Sequence, residues 1–167
     1  EDYQAVPELL FVTDLARSLL ASIPSICYFN PSGETLHEAE GIESLIQRMK
    51  STNLLPYEVW GNVRLFNLEK GWSLMDTVGM GQLDSVDHEA AFKSERYDLN
   101  DVGNFLRNAS DYVVDNGPVI QDGDTMDGPG DSRWQAKSFD TPISDPPRKV
   151  LRWLPRDGSR PARRLLS

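Results

Sequence analysis

Two clusters and one isolated carboxylate in this chain carry residue types that could do chemistry. Asp84, Asp87, His88 and Glu89 spell D-x-x-D-H-E. Carboxylates beside an imidazole can hold a divalent cation. The spacing fits neither H-E-x-x-H nor the D-x-[DN]-x-[DN]-G of a calcium loop, so a solvated acidic loop is expected. Asp122, Asp124, Asp127 and Asp131 lie in a Gly-rich run, D-G-D-T-M-D-G-P-G-D. It opens like a calcium loop, but its first glycine falls at the second position and Arg133 stands where the bidentate glutamate belongs. Asp and Gly are also the residues tight turns select, which is the expected role. Asp76 interrupts the apolar run L-M-D-T-V. A carboxylate there needs donors, since otherwise burial raises its pKa. Thr77, backbone amides or Arg64 across a hairpin could supply them, so a structural carboxylate is expected and not a catalytic acid.

Cys27 sits among Ile26, Tyr28 and Phe29 and reads as a core thiol with no local histidine to activate it. His37 and His88 are far apart in sequence. G-x-S-x-G, Walker and dinucleotide-binding patterns are missing. The expectation is therefore no catalytic residue, no metal and no cofactor.

The elements that must position these groups centre on Tyr57 to Met80. This stretch predicts two long strands joined at Glu69-Lys70-Gly71, with Gly71 supplying a positive φ. Both faces of the first strand are apolar, so cover on both sides is expected, with Val63 and Leu65 inside. Pro7 to Ala21 predicts a helix with Leu9, Val12, Ala16, Leu19 and Leu20 in its stripe. Ile26 to Asn30 predicts a short strand. Thr35 and Glu38 fit a capping box, and Ile42, Leu45, Ile46 and Met49 mark a second helix. Residues 81–97 read as irregular, with a short strand or turn near Ala90–Phe92. Asp98 or Asn100 caps a third helix that stops at Asn116-Gly117. Strands are expected at Val119–Ile120, Arg133–Phe139 and Val150–Leu154, with Trp60, Trp72, Trp134 and Trp153 all on strands. The fold class implied is α+β: a central antiparallel sheet built on the 57–80 hairpin, with the helices at about 8–21 and 98–115 packed on it. One domain is expected over 1–155, with the chain open to being part of a longer protein, and a basic tail over 156–167 that carries Arg160, Arg163 and Arg164.

The 167 residues hold 39% hydrophobic and 26% charged side chains, a globular composition. No run approaches the ~20 apolar residues of a membrane-spanning helix. The lone cysteine excludes an internal disulfide and leans toward a reducing compartment, hence a cytoplasmic protein. Over residues 1–147 there are 25 acids and 10 bases, whereas 148–167 hold 7 bases and 1 acid. An acidic body disfavours nucleic acid and favours a basic protein partner.

W-G-N-V-R-L-F-N-L at 60–68 and L-M-D-T-V-G-M at 74–80 resemble the uncharacterised bacterial domain-of-unknown-function family 4261. The pattern continues in N-A-S-D-Y-V-V-D-N-G at 108–117, D-G-D-T at 122–125 and R-K-V-L-R-W at 148–153, so the likeness spans about residues 25–155. Leu83-Asp84-Ser85-Val86-Asp87 departs from the family's short Leu-Pro-Asp stretch. The family offers no catalytic residues to transfer. Some members look like neighbours of secreted toxins, which implies an immunity role. The expected function is a non-catalytic, immunity-type protein that neutralises a bacterial toxin of the contact-dependent or type VI kind, with a nuclease among the candidate toxins, by direct binding. Its expected contacts are Asp84, Asp87, Glu89, Asp122, Asp124, Asp127 and Asp131. The alternative is a small metal-dependent hydrolase using the Asp/His/Glu loops.

Overall fold

The structure is a computed structural model that describes residues 4–159 and Pro161. Arg160, Arg163 and Arg164 of the basic tail lie outside the described residues. The elements run α1 (Ala5–Ser22), β1 (Tyr28–Asn30), β2 (Thr35–His37), α2 (Ala39–Thr52), α3 (Tyr57–Trp60), β3 (Asn62–Asn67), β4 (Trp72–Val78), β5 (Asp87–Lys93), α4 (Leu99–Asn116), β6 (Thr125–Gly128), β7 (Ser132–Phe139) and β8 (Val150–Pro155). Short 3-10 turns occupy Glu69–Gly71 and Met80–Leu83. The class is α+β. By contacts the chain forms two compact units: the described residues up to 62 with 78–84, and 63–77 with the described residues from 85 onward.

In the first unit β1 and β2 form a two-stranded ribbon in which Phe29 pairs with Leu36. Thr35, expected at a helix cap, is instead in β2, and α2 starts after Glu38. Tyr57 to Trp60, expected as strand, is a single helical turn, because Pro56 at its N-cap and Gly61 after it confine it. The Trp60 indole Nε1 donates to Thr13 Oγ1 at 2.9 Å and so ties this turn to α1. A Cβ on Gly33 would lie 1.9 Å from the Trp60 carbonyl oxygen, so only glycine lets these backbones meet. α1 packs on α2 and on the 80–83 turn. Thr13 and Ala16 face inward, while Phe11, Val12, Leu15 and Leu19 are exposed. Within this unit the inward face of α1 is taken up by these helix and turn contacts.

The second unit is built on the six-stranded sheet, ordered β3-β4-β5-β8-β7-β6. The turn between β3 and β4 is closed by Lys70 and Gly71, both at positive φ. Two refinements of the expected sheet follow. The β3–β4 hairpin takes the edge and second positions and is not central, and β5 pairs with β8 in parallel, which makes the sheet mixed. As the edge strand, β3 leaves Leu65 exposed and Val63 only half-buried. The largest difference is β5. Residues 87–93, expected to be irregular, form a strand buried along almost its whole length between β4 and β8. Its D-H-E-A-A-F string lacks the β-branched residues that mark a strand from sequence, so burial comes from its neighbours.

α4 begins as expected: Asp98 Oδ1 accepts from Asn100 N at 2.8 Å and Asp101 N at 3.3 Å. Its Val102, Phe105, Leu106 and Ala109 join Met75, Ala90, Phe92, Trp134, Ala136 and Trp153 in one core. Phe105 meets Trp134 and Trp153 at ring-centroid distances of 5.4 and 5.1 Å. β7 and β8 lie where expected, but Val119–Ile120 are irregular. Among the described residues no helix is long and apolar enough to cross a membrane.

Candidate functional site

Asp76 and Glu89 face each other directly across β4 and β5. Like charges in that position repel, and both side chains are fully buried, so cations must accompany them. Three arginines do. Arg64, on β3, places Nε 3.0 Å from Asp76 Oδ1 and Nη2 2.6 Å from Oδ2. Arg148 reaches Asp76 Oδ2 with Nη2 at 2.6 Å and Asp87 Oδ2 with Nε at 3.0 Å. Arg152, on β8, holds Glu89 Oε1 with Nε at 2.5 Å, and its guanidinium lies over the Phe139 ring at 3.9 Å. Ser144 Oγ also donates to Asp76, and Ile143 N donates to Glu89 Oε2 at 3.1 Å. Thr77 Oγ1 donates to Asp87 Oδ1 at 2.9 Å.

The network is charge-balanced, and each oxygen of its three carboxylates receives a donor. Carboxylates whose oxygens are all occupied in this way suit architecture more than proton transfer. It also secures the 140–149 loop: Arg64 Nη2 donates to the Asp145 carbonyl at 2.8 Å, and Arg148 Nη1 to the Pro146 carbonyl at 2.8 Å. Asp76 is thus the bonded structural carboxylate that its sequence setting implied, with Arg64 among its partners. The roles of Arg148 and Ser144 were not legible. Arg152 carried a readable signal, a cation inside V-L-R-W-L that mirrors the anion inside L-M-D-T-V.

His88 points to the other side of β5. Its Nδ1 accepts from Trp153 Nε1 at 2.9 Å and its ring stacks on that indole at 6.1 Å. Nε2 is buried without a partner. Burial pushes the imidazole pKa down from 6.5 to about 4, so it is neutral near pH 7.

Asp87 and Glu89, expected in a solvated loop, are therefore interior ion-pair partners in β5. Their burial takes them off any partner-facing surface. Asp84 remains exposed, at the end of the 80–83 turn in the first unit. All four remaining aspartates are exposed: Asp122 and Asp124 in the turn that leads into β6, Asp127 on β6 and Asp131 in the β6–β7 turn. Asp122 Oδ1 accepts from Ser138 N at 2.9 Å, and Asp124 Oδ2 from Gln121 N at 2.8 Å, so these two also shape their own turn. Asp127 pairs with Arg133 at 3.1 Å in a solvent-exposed bridge of little energetic weight. Beside Asp127 an open recess of about 280 Å³ lies between the hairpin and α4, lined by Asp101, Asn104, Phe105 and Asn108 among others. A depression of about 460 Å³ over β7 and β8 has the opposite character, with Lys137 and Arg156 in its lining. Cys27 is half-buried and lines an apolar groove beside α1. Among the described residues, no three His, Cys, Asp or Glu side chains are gathered as a metal site requires.

Residues 76–154 match the family model described as Domain of unknown function (DUF4261). The match begins at Asp76 and takes in β5, α4 and the strands β6 to β8, a narrower span than residues 25–155. No curated protein and no solved structure matches the chain.

Proposed function

We propose that the protein acts by binding a basic protein partner and is not a catalyst. The observation that carries this is the contrast between its two sets of carboxylates. The buried set is neutralised by its own arginines, whereas Asp122, Asp124, Asp127 and Asp131 reach solvent on a hairpin of a rigid sheet. The recess beside Asp127 offers the Asp101 carboxylate with the carboxamides of Asn104 and Asn108, whose oxygens can accept from a lysine or arginine of the partner. In its finer form, the partner is a secreted bacterial toxin that cleaves nucleic acid, and the protein is its immunity factor in the cytoplasm of the producing cell. A nuclease groove is cationic because it must hold phosphates, and an acidic surface can occupy it in place of the substrate. The acidic body, with 25 acids against 10 bases over residues 1–147, supports that reading.

The metal-dependent hydrolase is the weaker reading, because Asp87 and Glu89 are engaged by Arg148 and Arg152, and His88 by Trp153.

The test is co-expression with the product of the adjacent gene, followed by calorimetric titration of the purified pair. Binding is expected to weaken as salt rises, and to weaken about tenfold or more when Asp122, Asp124 and Asp127 are together changed to Asn. Metal-dependent turnover of a substrate by the purified protein, or undiminished binding by that variant, would overturn the proposal.

A further inference from the structure

The exposed apolar side chains are unevenly distributed. Among the described residues, nine of the fourteen large exposed hydrophobics belong to the first unit. Five of these nine lie on α1 or at its C-cap: Phe11, Val12, Leu15, Leu19 and Ile23. Val12, Leu15, Leu19 and Ile23 follow one another at helical spacing and are each between 43 and 53% exposed. Together with Cys27 and Tyr28 they line a groove of about 340 Å³.

α1 is held in this orientation. Thr13 accepts from Trp60 and donates to the Leu9 carbonyl at 2.7 Å. Arg17 bridges Asp14 at 3.2 Å and Glu43 of α2 at 3.0 Å. The outward row cannot turn inward without breaking these contacts, so its exposure is a property of the folded unit.

Charge selects the occupant. The described residues of the first unit carry eight carboxylates and three basic side chains, and Arg17 and Arg48 are already paired to Asp14, Glu43 and Glu58. Glu8 stands at the head of the same helical row and is exposed. A second copy of this chain, at net charge −9, would bring acid against acid. We infer that the α1 groove seats an amphipathic helix of a partner protein, with an apolar stripe flanked by lysines or arginines. The row from residue 12 to 23 spans ~16 Å, enough for about three turns of such a helix. This is the helix-in-groove mode of recognition: the apolar row supplies the anchors, and Glu8 with the net negative charge of the unit sets which helices are accepted. The inference rests on the reading that the protein works by binding a basic partner, and it adds a second contact surface to the acidic hairpin.

The probe is a fluorescein-labelled, eighteen-residue-class helical peptide of leucine and lysine, with a leucine–glutamate peptide of the same pattern as control, followed by anisotropy on the full chain. Saturable binding of the Leu–Lys peptide is expected, about tenfold or more tighter than that of the Leu–Glu peptide. The triple variant Val12→Ser, Leu15→Ser, Leu19→Ser alters exposed positions only. It should keep the wild-type melting temperature to within a few degrees and weaken Leu–Lys binding about tenfold or more. The single variant Leu15→Ser keeps the test available if the triple variant fails to fold, with a smaller loss in the same direction. No binding of the Leu–Lys peptide, equal binding of both peptides, or unchanged binding by the folded variant overturns the groove. So does sedimentation showing a wild-type dimer that the variant abolishes, or vesicle binding that the variant loses. The Asp122, Asp124, Asp127 hairpin variant separates the two proposals. If the groove fails while that variant still loses the basic partner, partner binding through the hairpin stands. If the hairpin variant keeps the partner and the groove variant loses it, the groove stands and the hairpin is set aside.

Discussion

Below pH 6.5 the unfolded chain takes up a proton on residue 88 that the folded chain refuses. The His88 ring is fully buried against Trp153 and its Nδ1 is occupied by the indole N–H, while Nε2 has no acceptor to which an added charge could be directed. Burial lowers the folded pKa from 6.5 to about 4. Above pH 6.5 both states are neutral at this site and it contributes nothing to the pH dependence. As pH falls through 6.5 the unfolded state is protonated first, so stability drops, and the drop levels off once the folded state also protonates near pH 4. At 1.36 kcal/mol per unit of pKa difference, the loss is about 2 kcal/mol at pH 5 and about 3 kcal/mol at pH 4. Urea unfolding of the wild type and of His88→Asn, at fixed ionic strength between about pH 7.5 and about pH 5, isolates the effect. Asn removes the titrating ring and can still place an acceptor near the Trp153 N–H. The variant should be the less stable protein near pH 7.5, because it loses the stacked ring, and the gap should narrow by about 2 kcal/mol on acidification to about pH 5. Parallel pH curves for the two proteins would refute the argument, since every other titrating group is common to both.

Asp76→Leu removes the carboxylate that Arg64 and Arg148 share; it should cost about 3–5 kcal/mol in urea unfolding, and Asp76→Asn should cost less because it keeps an acceptor oxygen. Arg148→Met should cost a comparable amount and should raise hydrogen exchange in the 140–149 loop, which Arg148 ties down through the carbonyls of Ser144 and Pro146. Gly33→Ala places a methyl group 1.9 Å from the Trp60 carbonyl oxygen, so a loss of several degrees or more in Tm is expected by calorimetry, and an unchanged Tm would mean these backbones do not meet. Changing Asp122, Asp124 and Asp127 together to Asn should slow partner association while shifting stability by no more than about 1 kcal/mol, because all three are exposed.

Local pattern determined much of this protein. The α4 helix was legible from its Asn116-Gly117 stop and from Asp98, whose cap bonds need only the next three residues. The β3–β4 turn was legible in Glu69-Lys70-Gly71, β7 in the alternation of Arg133–Phe139, and β8 in the apolar run Val150–Leu154. An acid inside L-M-D-T-V pointed to a bonded interior carboxylate, because an unpaired charge in an apolar strand is costly. Tertiary structure decided the rest. D-x-x-D-H-E is a loop by composition and an interior strand in fact. Arg148 and Arg152, some sixty residues later in sequence, pair its carboxylates, and β4 and β8 lie on either side of it. Tyr57–Trp60 has strand residues but lies between Pro56 and Gly61 and is held by Thr13, so it closes into a helical turn. α1 shows the same limit from the other side. Its sequence carries apolar residues on more than one face, which establishes that it is an apolar helix. Which face is buried was settled only by what lies against it: α2, the 80–83 turn and the Trp60 indole took Thr13 and Ala16, and left Val12, Leu15 and Leu19 to solvent. Hydrophobic spacing is a property of one segment, whereas burial is a property of the segment and its neighbours together.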